Sequence, residues 1–213
     1  MNILILAAHP DDEVLGMGGT IKKLTQKKNK IHLLVLTEGA SSQYNNSKMK
    51  QVRKESCKKS SDILGISSVN FLDYPDMKLD TIPQLKINQE IEKEIKKRKP
   101  EIIYTTPNHD LNSDHRIAHE STLVAARPKS GVKKILSYEI PGFVKKPSHP
   151  NVFENIESEL TYKLKAMRCY KSEIEKFPHP RSIKAIENLS IQRGIESGLK
   201  NAEAFQLLKS IEK

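Results

Sequence analysis

The chain has 213 residues, with 36 Lys and Arg against 26 Asp and Glu, a formal charge of +10. That length suits one domain with a real core and no need of disulfide staples, and the 37% of hydrophobic residues are clustered, which excludes a disordered chain. With no tryptophan and 5% aromatics, a stacking platform for single-stranded nucleic acid is also disfavoured.

In chain order, residues 2–8, 31–37, 68–72, 101–105 and 134–140 read as strands: short, rich in Ile, Val and Leu, and almost continuously apolar, as in a parallel sheet buried on both faces. Between them, residues 13–28, 48–64, 82–99 and 113–126 read as helices. Asp80 or Thr81 is placed to cap the third, Pro83 suits its first turn, and Pro100 closes it. The alternation predicts an α/β fold: a Rossmann-like open, mostly parallel sheet flanked by helices. After a Pro- and Lys-rich connection at 141–150, helices are expected at 154–170, 183–197 and 202–212. The tail is too short for a separate unit. The expectation is one domain over 1–213, with a sheet core at about 1–140 and a helical C-terminal cap at about 141–213.

Cys57 and Cys169 lie far apart with no CxxC spacing, which fits a reducing compartment. The apolar start lacks the basic leader of a signal peptide, and no run reaches the ~18 apolar residues of a membrane span. A cytoplasmic protein is expected.

Ligands of open α/β sheets bind at the carboxyl ends of the strands. Three polar clusters fall there: Ala8-His9-Pro10-Asp11-Asp12-Glu13, Thr37-Glu38-Gly39-Ala40-Ser41-Ser42, and Pro107 to His115 with Asn108-His109-Asp110-Leu111-Asn112-Ser113-Asp114 between. A dinucleotide site would place glycines straight after the first strand; here three carboxylates stand where a phosphate would go. A cation suits the cluster better. His9 and Asp12 can grip a divalent metal, His115 can add a second imidazole, and Asp11 is free to face a metal-activated water. Asp114 beside His115 can orient the site. His119 has ligand spacing from His115 but is not needed, and helix-dipole complementation accounts for Glu13 alone, not for the whole cluster.

Ala8-His9-Pro10-Asp11-Asp12-Glu13, with Gly16 and Gly18-Gly19 after it, resembles the signature of the PIG-L/LmbE-like family of zinc-dependent N-acetyl sugar deacetylases. Thr37-Glu38-Gly39, Arg53-Lys54-Glu55 before Leu64-Gly65, and Asp114-His115-Arg116 resemble further motifs of that family, in its order. So do His179-Pro180-Arg181-Ser182 and Ala202-Glu203-Ala204-Phe205 in the tail. The resemblance implies His9, Asp12 and His115 as ligands of Zn2+, or of another divalent metal, and Asp11 as general base. Asp114 takes a supporting catalytic position, and Arg53 faces the substrate. Where the family often has a histidine, this chain has Asn112, which donates a hydrogen bond but supplies no proton at neutral pH. Proton delivery then falls to His109 or to His179 from the tail. Glu38, His109 and Arg181 complete the substrate-binding set.

The expected function is a hydrolase of linear amide bonds that removes the acetyl group from an N-acetylated amino sugar, an N-acetylglucosaminyl-type glycoside or a nucleotide sugar. It would act through zinc-activated water with Asp11 as base. The alternatives are a metal-dependent phosphoesterase on an anionic substrate and a non-catalytic nucleotide-binding module. The partner expected is a small sugar, with no nucleic acid and no membrane span; the resemblance also implies self-association as a homo-oligomer. Because the site is acidic, the excess Lys and Arg belong to solvated helices at 22–30, 48–59 and 93–99. Only Arg53, Arg116 and Arg181 are placed to receive a phosphate or carboxylate of the substrate.

Overall fold

The apolar run after Met1 forms β1 (Asn2–Ala7), whose alternate side chains enter two cores. Ile3, Ile5 and Ala7 pack with Val14, Ile31, Leu33 and Val35 on one face. Leu4 and Leu6 pack with Leu34, Leu36, Ile87 and Ile103 on the other. A strand covered on both faces is apolar at every position, because each half of its period-two pattern meets its own layer. The computed structural model describes residues 1–44, 46, 48–142 and 144–212; Phe143, within the 141–150 connection, lies outside them.

β2 (Lys30–Thr37), β3 (Ser68–Tyr74), β4 (Ile102–Thr105) and β5 (Lys134–Tyr138) join β1 in a parallel array. β7 (Ala202–Ser210) adds antiparallel to β5, and β6 (Val152–Asn155) antiparallel to β7, giving the order β3-β2-β1-β4-β5-β7-β6. One face carries α1 (Asp12–Gln26), α2 (Lys48–Leu64), α5 (Leu160–Met167) and α6 (Ile183–Ser197). The other carries α3 (Gln84–Arg98) and α4 (Ser113–Ala125). The chain leaves β1 towards β2, and β4 lies on the opposite side of β1. The carboxyl ends of β1 and β4 therefore border a topological switch point.

The α/β reading holds, but the tail is not a purely helical cap. The helix expected over 202–212 is β7 through Ser210, because its side chains alternate: Phe205 and Leu207 reach one core and Leu208 the other. The stretch expected as helix over 154–170 is the end of β6 followed by α5. Neither Asp80 nor Thr81 caps α3; both lie in a 3-10 turn (Leu79–Thr81), and α3 starts after Pro83.

α1 is interrupted at Met17 (φ −147°, ψ 24°). The backbone N–H groups of Gly19 and Thr20, freed by the break, donate to Glu203 of β7 at 2.9 and 2.7 Å. Lys163 of α5 bonds the same carboxylate at 2.7 Å and the carbonyl of Leu15 at 2.9 Å. The tail thus clamps the helix that carries Asp12. No helix among the described residues is long and apolar enough to cross a membrane.

Candidate active site

After β1 the chain turns through His9 and Pro10 into Asp11, whose φ of 130° and ψ of −23° are rare for a residue with a side chain and cost about 1–3 kcal/mol. Neighbours fix this conformation. The Asp11 carbonyl accepts the N–H groups of Val14 and Leu15 at 3.0 and 2.9 Å, and its own N–H donates to Glu13 at 3.3 Å. Glu13 in turn accepts the Tyr170 hydroxyl at 2.8 Å, and burial pushes its carboxyl up to about 7. Opposite, Gly39 (φ 61°) has no room for a side chain, since a Cβ there would stand 2.6 Å from Pro10 Cδ.

Nδ1 of His9 and Nε2 of His115 lie 3.2 Å apart. The outer nitrogen of each ring meets carboxylates: His9 Nε2 is 3.1 Å from Asp114 and 3.2 Å from Asp76, and His115 Nδ1 is 2.7 Å from Asp110. A carboxylate accepts, so each outer nitrogen carries the hydrogen and each inner nitrogen presents a lone pair. Asp12 lies beside both, with Oδ1 3.3 Å from His115 Nε2 and Oδ2 3.6 Å from His9 Nδ1. Asp12 Oδ1 is buried without a hydrogen-bond partner. Two lone pairs and an orphaned carboxylate oxygen converging on one point fit a divalent cation, and the N/N/O donor set suits zinc.

His9, Asp76 and Asp114 form a second group of ligand-capable side chains. However, Asp114 also accepts the N–H groups of Met77 and Leu79 at 2.9 and 3.0 Å, and Asp76 accepts from the Ser42 hydroxyl. These carboxylates hold His9 and the loop after β3. Burial opposes charge on His9 and His115, yet the surrounding carboxylates prevail. His9 is raised well above the usual histidine range through Asp114, Asp12 and Asp76, and His115 to about 9 through Asp12 and Asp110. Burial likewise works against an ionised Asp12, but His115 and His9 hold it well below the usual carboxylate range.

Asp11 Oδ2 stands 3.5 Å from Arg53 Nη1 and 3.7 Å from Arg181 Nη1, and both guanidinium groups bond Glu173. Burial pushes the Asp11 carboxyl up, opposed by Arg53 and Arg181. An open cleft of about 650 Å³ beside these groups is lined by Asp110, Asn112, His115, Ile140, His179 and Arg181 among others.

The family model described as PIG-L, GlcNAc-PI de-N-acetylase, matches residues 4–126, more than half of the chain. This protein belongs to the PIG-L family. It is 26% identical over 226 residues to the diacetylchitobiose deacetylase of Thermococcus kodakarensis, covering 98% of this chain and 84% of the relative. It is 33% identical over 185 residues to the uncharacterized deacetylase YaiS of Escherichia coli, covering 80% and 90%. Among solved structures it is similar to N,N'-diacetylchitobiose deacetylase from Pyrococcus horikoshii, with a TM-score of 0.81, 21% identity, and 98% and 84% of the two chains covered. It is also similar to the 4-carboxy-2-hydroxymuconate hydratase GalB of Pseudomonas putida, with a TM-score of 0.82, 20% identity, and 100% and 98% covered. Those two likenesses show the fold alone, since one fold carries different reactions.

Within this PIG-L chain, His9, Asp12, Asp114 and His115 meet at the ends of β1 and β4, Asp11 is buried beside Arg53 and Arg181, and Asn112, His179 and Arg181 line the cleft. Three residues stand elsewhere than expected. Glu38 does not face the cleft: its oxygens accept the N–H groups of Ala40 (2.9 Å), Ser41 (3.1 Å) and Asp76 (3.4 Å), tying two loops together. His109 is half-buried and outside the cleft lining, and burial lowers its pKa. Arg53 is 2% exposed and paired with Asp11 and Glu173, so it stands behind Asp11 and away from the cleft.

Other residues differ in detail. Asn112 caps α4 through its Oδ1, which accepts the Asp114 N–H at 2.9 Å and leaves only the amide NH2 for other work. Asp114 orients His9 and also holds the loop after β3. Arg116 donates to the carbonyls of Asp110 and Leu111 and does not line the cleft. His119 bonds the Thr106 carbonyl at 2.7 Å. Asp76, Asp110 as the partner of His115, Tyr170 and Glu173 are not among the residues expected from the sequence. Asp76 had a signal, since it follows the end of β3; Tyr170 and Glu173 belong to no motif.

Proposed function

We propose that this protein is a metal-dependent hydrolase that cleaves the acetyl amide of an N-acetylated amino sugar, an N-acetylglucosaminyl-type glycoside or nucleotide sugar. The observation that carries the reading is the convergence of His9 Nδ1, His115 Nε2 and the orphaned Asp12 oxygen, with the Asp11 carboxylate next in the chain. The relative from Thermococcus kodakarensis, a diacetylchitobiose deacetylase matching 98% of this chain, supports the substrate class.

His9, Asp12 and His115 would hold the ion, zinc by donor type, which when bound supplies a Lewis acid for the acetyl carbonyl and lowers the pKa of water towards about 7. The chain's own groups do the rest. Asp11 takes the proton of the attacking water, and Arg53 and Arg181 beside it favour the ionised base. The NH2 of Asn112 donates to the oxyanion that develops on the acetyl carbon. His179, exposed at the cleft mouth, returns a proton to the leaving amine. Asp110 and Asp114 keep the imidazoles turned inward. A small sugar is the only partner this chemistry calls for, and a cytoplasmic setting fits the unpaired Cys57 and Cys169. The phosphoesterase alternative is weaker, because the second group of ligand-capable residues is committed to backbone and hydroxyl donors.

The test incubates zinc-loaded protein with N-acetylglucosamine, N,N'-diacetylchitobiose, a nucleoside-diphosphate N-acetylglucosamine and a phosphodiester. Acetate and free amine are expected in equal amounts from at least one sugar. Bound metal with no acetate from any of them, or hydrolysis of the diester to a monoester and an alcohol, would overturn the reading.

A further inference from the structure

Both guanidinium groups next to Asp11 are held by one buried carboxylate. Glu173 Oε1 accepts Arg53 Nη1 at 2.7 Å, and Glu173 Oε2 accepts Arg181 Nη1 at 2.7 Å. Glu173 is itself anchored: Tyr44 and Ser172 donate their hydroxyls to Oε1 at 3.1 and 3.0 Å, and its side chain is 3% exposed. Two cations, Arg53 and Arg181, therefore face two carboxylates, Asp11 and Glu173, and their charges cancel locally. Beside the cleft runs a larger groove of about 1010 Å³, lined by Ile140, Pro141, Val144, Pro147 and Leu189. Its lining cation, Arg193, is paired with Glu139, with Nε 2.8 Å from Oε2.

A phosphate or carboxylate on a substrate thus meets no unpaired arginine among the described residues of the cleft and groove. It does meet Asp110, a lining residue of the cleft. Arg181 meets Glu173 and Asp11 through Nη1 alone, and its side chain is 27% exposed. An anion reaching its other N–H groups finds a charge already neutralised by two carboxylates and gains little net attraction. Displacing Glu173 outright would strip a buried carboxylate of its partners, which is strongly unfavourable. We propose that Glu173 is a specificity-determining residue, which occupies Arg53 and Arg181 from inside so that the cleft takes an uncharged N-acetyl sugar and discriminates against an anionic one. This rests on the deacetylase reading, narrows its substrate class to neutral glycosides and reverses the expectation that these arginines receive substrate charge.

The experiment compares N-acetylglucosamine with its 6-phosphate on the zinc-loaded full chain, wild type and Glu173→Gln, by kcat/KM and by calorimetry with the same two ligands. Wild type is expected to favour the neutral sugar, with little dependence of the phosphorylated one on salt. Glu173→Gln is expected to shift the ratio towards the 6-phosphate by about tenfold or more, chiefly through KM, and to make its binding salt-sensitive. A wild-type preference for the 6-phosphate, or an unchanged ratio in a folded Glu173→Gln, would overturn the proposal. Should Glu173→Gln not fold, the wild-type ratio and its salt dependence decide. Should neither sugar release acetate, the deacetylase reading fails, while calorimetry still decides charge selection: tighter binding of the 6-phosphate by wild type contradicts it, and weaker binding supports it.

Discussion

His9 and His115 turn their inner nitrogens towards each other at 3.2 Å, while a carboxylate occupies the outer nitrogen of each ring. This arrangement is unstable without something positive between the rings. In the metal-free protein that is a proton: Asp12 and Asp110 hold His115 up at about 9 against its burial, so the pair carries one at neutral pH. A bound metal would take that place, so the two states would differ in the protons they carry.

A pH dependence follows with a definite sign. His115 has a folded pKa above its unfolded value of 6.5, so its stabilisation is complete below 6.5 and is lost as pH rises through about 9. Metal-free protein should therefore lose Tm between those values. Zinc-loaded protein should keep it, and zinc uptake at neutral pH should release protons. Thermal unfolding with and without zinc, and calorimetry in buffers of different ionisation enthalpy, check both halves. A metal-free Tm that rises over this interval would contradict the assignment.

Asp110 touches no proposed ligand position except through His115 Nδ1, at 2.7 Å. Asp110→Asn should weaken zinc affinity by about 10–100-fold, the usual effect of losing such an orienting carboxylate. Competition with a chromogenic chelator measures this. Asp114→Asn should lower Tm as well, because the Asp114 oxygens also carry the N–H groups of Met77 and Leu79.

Asp11 combines a proposed base with a strained backbone. Asp11→Asn should bind zinc at unchanged stoichiometry and lose about 10²–10⁴-fold in kcat. At φ 130°, Asp11→Gly should be more stable than Asp11→Ala by about 1–2 kcal/mol, since only glycine adopts that conformation freely. Denaturant unfolding of the two inactive variants tests the strain separately from catalysis.

Much of this was legible from residue type alone. β1 and its loop could be read because Ile3 to Ala8 are all fully buried, so nothing interrupts the apolar signal before His9-Pro10-Asp11-Asp12. β7 could not, because Ala202-Glu203-Ala204-Phe205-Gln206-Leu207-Leu208-Lys209 is rich in strong helix formers, and its strand state comes from pairing with β5 and β6. The ligand candidates carried a motif. Asp76, Tyr170 and Glu173 did not, and their roles arise only when loops distant in sequence are brought to one end of the sheet.

Glu203 shows how that tail stabilises the site. It accepts from Lys163 and from two backbone N–H groups at the break in α1. Glu203→Ala strands a buried lysine and should destabilise the protein by about 3–5 kcal/mol. A loss below 1 kcal/mol in denaturant unfolding would mean that the clamp does not form.

Hydrolysis of an N-acetyl sugar is expected to depend on a metal held by His9, Asp12 and His115. The most direct measurement follows acetate release from N,N'-diacetylchitobiose by one preparation, first as purified, then stripped with chelator, then restored with zinc, in parallel with His115→Ala. The expected result is one bound metal per chain, loss of activity on stripping, recovery on restoration, and neither metal nor activity in His115→Ala. Undiminished acetate release from the stripped protein, or full activity in His115→Ala, would contradict it.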